Sequence, residues 1–80
     1  MNTIIEQIIE IVRKITEDDK AEIIESTTAQ DVSGWDSLSH IYIITEVEKH
    51  FDIKFSAVDA YNMKSVGDFC KIVETKSQQN

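Results

Sequence analysis

Proline is absent from the whole chain, and glycine stands only at Gly34 and Gly67. A sheet of many short strands needs a turn residue every few positions. A chain this poor in turn formers is expected to be helical. Its 80 residues leave room for one small domain spanning 1–80 and none beside it. With 41% hydrophobic residues it has material for a core, which excludes a disordered acidic tail.

The apolar spacing divides the chain. Thr3 and Glu6 form a capping-box pattern, and Ile4, Ile8, Ile11, Val12 and Ile15 follow at helical spacing. The first helix is expected over about Ile4–Ile15. Periodicity then fades from Thr16 to Asp36. A loop this long has work to do or structure of its own. Ile23, Ile24, Val32 and Trp35 are expected to pin it to the core, with a short helical turn around Ala21–Glu25. The second helix should start at Ser37 and reach about His50. Ile41, Ile43, Ile44, Val47 and Phe51 fall on one broad arc facing the core. Leu38, Tyr42, Thr45 and Lys49 form a second stripe, facing solvent or a partner.

Beyond it, Phe51–Phe55 alternates like a strand but has no partner strand. An extended loop inserting Ile53 and Phe55 fits better. Val58–Met63 has length for a short helix only. Ser65 and Asp68 then form a second capping-box pattern, and Val66, Phe69, Cys70 and Val73 continue a helix to about Lys76. Residues 77–80 read as a polar tail.

Charge and cysteine content narrow the function. Fifteen acidic against eight basic residues give a net charge of −7. That balance disfavours nucleic acid and anionic membranes and favours basic partners. The single Cys70 supports no internal disulfide and no zinc framework of paired cysteines, so a reducing, cytoplasmic setting is expected. The N-terminal segment is interrupted by Glu6 and Glu10 and lacks a basic lead, so it reads as neither signal peptide nor membrane span.

The informative segment is Gly34-Trp35-Asp36-Ser37-Leu38, which puts a serine at a helix start after a long loop. It continues with Phe51-Asp52-Ile53, Phe55 and Ser65-Val66-Gly67-Asp68, with no gap needed. Over about Gly34–Val73 the chain resembles the acyl carrier protein family. The resemblance implies an all-α, four-helix bundle with a long first loop and a short third helix. It implies 4′-phosphopantetheine attached to Ser37, with Asp36 and Leu38 framing recognition by a phosphopantetheinyl transferase, Asp36 through the transferase's metal. The protein is then a carrier and not an enzyme. Acyl-loading and acyl-transferring enzymes are its partners, and it works as a monomer.

Elementary chemistry agrees with that placement, because a helix N-terminus favours an anion such as a phosphodiester. The plain alternative for Ser37 is an ordinary N-cap serine, and for Asp36 a helix cap. Asp36, Ser37 and His40 also have the residue types of a catalytic triad. No oxyanion hole or cleft accompanies them, so a hydrolase is not expected. His40 reads as a boundary histidine with a local hydrogen bond; a sharper reading sets it against the prosthetic phosphate or a cavity mouth. Cys70 reads as a small buried hydrophobe.

Residues 1–35 carry net −5 and residues 36–80 net −2. Carriers of general fatty acid synthesis present a strongly acidic second helix. Here Tyr42 and Lys49 stand on the outer stripe, with Glu46 and Glu48 nearby. Together with Trp35 before the motif, this looks like carriers of specialised pathways. Partner contacts are expected at Leu38, Tyr42, Thr45, Glu48, Lys49 and Met63, the last at a rim between the second and third helices. Two other functions fit the residues: a peptidyl or aminoacyl carrier, and an unmodified acidic helical adaptor.

Overall fold

The computed structural model describes residues 3–17 and 22–77. They form four helices, α1 over Ile4–Thr16, α2 over Ser37–Phe51, α3 over Ala57–Asn62 and α4 over Val66–Ser77. No strand occurs among the described residues; one isolated antiparallel bridge joins Thr28 and Ser65. The expected all-α, four-helix architecture with a long first loop and a short third helix is what the chain adopts.

Local chemistry sets the helix ends. The Thr3 hydroxyl accepts from the Glu6 amide at 3.2 Å and opens α1. Ser56 and Asp59 box the start of α3, each amide donating to the other's side chain at 2.9 and 3.1 Å. Ser65 and Asp68 do the same for α4 at 3.1 and 3.2 Å, as their spacing predicted. Lys76 Nζ lies 3.0 Å from Asp59 Oδ2 and links α4 to α3.

α1 packs against both α2 and α4. Ile8, Ile11 and Val12 of α1 meet Ile43 and Val47 of α2 and Val66, Phe69 and Val73 of α4 in one buried cluster. Phe55 and Ile53 insert partly against it from the loop after α2, as expected.

The expected inner arc of α2 was too wide. Ile41 is 59% exposed. It stands six residues from Val47, about 120° around the helix, and so leaves the core face. Phe51 is only partly buried, because it closes the end of α2.

The long first loop is anchored by Ile23, Val32 and Trp35, all buried. Ile24 is exposed instead. Its amide donates to Thr27 Oγ1 at 2.8 Å, in a turn that buries Thr27. The short turn expected around residues 21–25 lies partly outside the described residues, and 22–25 contain no helix. A 3₁₀ turn occurs later, at Ala29–Asp31. Residues 78–80 of the expected tail also lie outside, and Ser77 belongs to α4.

The loop is tied at both ends. At α4, the Val66 and Gly67 amides donate to Thr27 and Glu25 carbonyls at 2.9 and 2.7 Å. These bonds satisfy donors that a helix start leaves open. At the other end, Gly34 has φ +88°, and a Cβ there would stand 2.8 Å from the Thr16 carbonyl oxygen. The close approach of loop to α1 therefore requires a glycine. It delivers Trp35 into the core and aims the chain into α2.

Candidate functional site

Asp36 holds extended backbone and caps α2, its Oδ1 accepting from the Ser39 amide at 2.9 Å. That bond holds its carboxyl below the ordinary aspartate range, with help from the Ser39 side chain. Ser39 Oγ donates to the Gly34 carbonyl at 2.6 Å and closes the turn from outside. Because Asp36 is the cap, Ser37 is the first helical residue and not the N-cap. Ser37 is exposed, and its hydroxyl has no hydrogen-bond partner among the described residues.

Ser37 opens onto a groove of about 680 Å³. One wall is the loop at Thr28 and Gln30; the other comes from Tyr61 of α3 and Lys64 just after it. Lys64 Nζ sits 5.2 Å above the Tyr61 ring. The groove floor is aromatic. Trp35 Nε1–H donates to His40 Nδ1 at 3.1 Å, and the two rings lie edge to edge, their planes 23° apart and their centroids 6.1 Å apart. Phe69 meets the His40 ring edge-on at 5.8 Å. Partial burial lowers the His40 pKa from its ordinary value.

The triad does not form. The Asp36 carboxylate is spent on Ser39, and His40 Nδ1 is spent on Trp35. No group of at least three metal-ligating side chains gathers among the described residues. Cys70 is half-buried, with its thiol pushed up to about 11 by burial and by Glu25 and Glu74. It is a poor nucleophile at neutral pH.

Leu38, Tyr42, Thr45 and Lys49 are exposed where the outer stripe put them. Ile41 joins them, so the apolar part of that face is Leu38, Ile41 and Tyr42. Two expected contact residues sit differently. Met63 is 1% exposed and is a core residue lining the inner side of the groove. Glu48 turns inward, and its Oε2 accepts from the Phe55 amide at 2.7 Å, holding the loop after α2. Lys64 and Tyr61 gave no sequence signal, because their nearness to Ser37 arises only when α3 folds beside α2.

A family model described as the phosphopantetheine attachment site matches residues 6–73. The chain belongs to the acyl carrier protein family. It is 35% identical over 68 residues to an acyl carrier protein homolog of Mycoplasmopsis pulmonis, covering 85% of this chain and 92% of that one. Among solved structures, the holo acyl carrier protein of Geobacter metallireducens superposes with a TM-score of 0.84 at 33% identity. The match covers 94% of this chain and 86% of that one. A protein assigned as an acyl carrier from Mycobacterium tuberculosis superposes at 0.75 with 35% identity, covering 96% and 97%. The chain is thus a carrier and not an enzyme, and its prosthetic group is phosphopantetheine. Family membership brings a phosphopantetheinyl transferase and acyl-handling enzymes as the general classes of partner.

The site residues fit that group. A phosphodiester needs an exposed hydroxyl and tolerable electrostatics. Ser37 is exposed at a helix N-terminus, and Lys64 lines the adjoining groove.

Proposed function

We propose that Ser37 is the attachment point of the phosphopantetheine arm and that α2 presents the loaded arm to pathway enzymes. The observation that carries this reading is the division of labour at the start of α2. Asp36 caps the helix, which leaves the Ser37 hydroxyl exposed and unspent beside the groove. When attached, the arm supplies a thiol that holds acyl groups as thioesters. The chain's own residues position and shield. Asp36 fixes the turn and, with Leu38, forms the surface a transferase reads. Thr28, Gln30 and Lys64 border the space beside Ser37.

The finer reading is a carrier for a specialised pathway. Its docking stripe is Leu38, Ile41, Tyr42, Thr45 and Lys49, apolar at the start and basic at the end. Partners are selected by apolar contact more than by charge. We place the protein in the cytoplasm as a monomer. Its lone, half-buried cysteine and net charge of −7 support this, and no described helix is long and apolar enough to cross a membrane.

The test is acyl loading. Holo chain incubated with an acyl-transferring enzyme and acyl-coenzyme A should gain the acyl mass, and neutral hydroxylamine should remove it. A holo chain that no acyl, aminoacyl or peptidyl donor loads through a hydroxylamine-labile bond would contradict the carrier role.

A further inference from the structure

The Trp35–His40 pair has a chemical consequence at the groove. An indole N–H only donates, so the bond to His40 Nδ1 makes that nitrogen the acceptor. In the neutral ring the proton must then sit on Nε2. No buried side-chain nitrogen or oxygen among the described residues lacks a partner. Nε2 has no partner within the described chain, so it reaches solvent. His40 lines the same groove as Ser37. Side chains on a helix lean toward its N-terminus, and residues three apart are neighbours. The His40 ring, hydrogen-bonded to Trp35 before the helix start, leans that way.

We propose that His40, held as the Nε2–H tautomer by the Trp35 indole, is a positioning residue that donates to the phosphate of the arm on Ser37. This rests on the attachment reading above. Trp35 sets the tautomer and Phe69 supports the ring edge-on, so the donor is placed before any arm is present. Lys64, the lysine on the groove, already lies over the Tyr61 ring. The charged groups lining the groove with His40 are Asp36 and Lys64; Tyr61 is the remaining titratable one. All three are present with and without the arm. A phosphate beside Nε2 adds one negative charge and favours the imidazolium.

The experiment is a comparison of apo and holo protein carrying ¹⁵N-histidine, with intact mass reporting conversion. Long-range ¹H–¹⁵N spectra give tautomer and pKa for His40, with His50 as the internal reference. We expect the Nε2–H tautomer in apo protein and a His40 pKa raised by about half a unit or more in holo protein. The ³¹P signal should titrate with the same midpoint. Trp35→Phe keeps an aromatic side chain and deletes the donor; in it the tautomers should mix and the ³¹P titration should weaken. His40→Gln should abolish that titration while the arm mass is still gained. An Nδ1–H tautomer in apo protein overturns the proposal. So does fully converted protein whose His40 pKa and ³¹P shift are both unmoved. Wild type that gains no arm, or gains it equally with Ser37 replaced by Ala, overturns the attachment reading and the proposal together, and the mass alone separates that result from the others.

Discussion

The turn into α2 depends on single residues with little tolerance. Gly34 is the clearest. Alanine there meets both a positive φ and the Thr16 carbonyl oxygen. Gly34→Ala should cost about 1–3 kcal/mol in urea denaturation, and a loss below about 0.5 would show that the loop end is not packed as described. Asp36 and Asp59 give the acid dependence its sign. The Ser39 amide lowers the Asp36 carboxyl, and the Ser56 amide, with Lys76, lowers that of Asp59. A carboxyl lowered by folding contributes stability above its unfolded pKa, roughly 3.9, and loses it as pH falls through the folded value. Stability should therefore fall below about pH 4. Asp36→Asn, which still caps, should make that fall shallower in denaturation series from neutral to acid pH; an unchanged slope would remove Asp36 from the account. The position of Asp36 and Ser37 at the start of α2 was legible in sequence, because helical apolar spacing resumes there after the long loop. Which of the two caps was not legible, since either side chain fits that position.

Among elements, α2 carries both a core face and the exposed face proposed for docking, and its sequence separates them incompletely. Ile43 and Val47 were recognisable by spacing. Ile41 was misplaced because a helix rich in isoleucine on several sides blurs its own arc. The fully buried core aromatic is Phe69 of α4, packed against Trp35, His40 and Phe55. Phe69→Ala should cost about 3–5 kcal/mol and Phe51→Ala distinctly less. The reverse order in thermal or urea unfolding would relocate the core. The outer stripe makes its own prediction. Lys49 opposes basic patches evolved for acidic helices, since like charges slow encounter. Tyr42→Glu with Lys49→Glu should raise malonyl loading of holo protein by a fatty-acid-pathway transacylase, most at low salt. Equal, efficient loading of wild type and variant at every salt concentration would end the specialised-pathway reading. Glu48 could not be sorted by any helical wheel. Its loop partner Phe55 lies seven residues on, and only the folded loop brings the Phe55 amide to it.

At the scale of the whole molecule, helix count and order were readable because turn formers are scarce and two capping patterns mark starts; Ser65 and Asp68 form the full box, while Thr3 caps α1 through its hydroxyl alone. The groove was not, since it joins the first loop, the start of α2 and the end of α3 with the segment after it. Sequence neighbours cannot reveal a wall built from residues more than twenty positions apart. In the proposed function, that groove and the exposed serine are what distinguish the chain from an inert bundle. The central claim is that one hydroxyl, Ser37 Oγ, receives the arm. Intact mass decides it directly, after apo protein is incubated with coenzyme A and a broad-specificity phosphopantetheinyl transferase. The account predicts a complete gain of one phosphopantetheine on wild type, mapped to Ser37 by fragmentation, and none on Ser37→Ala. A wild type that stays unmodified, or an alanine variant that gains the same mass, would contradict it.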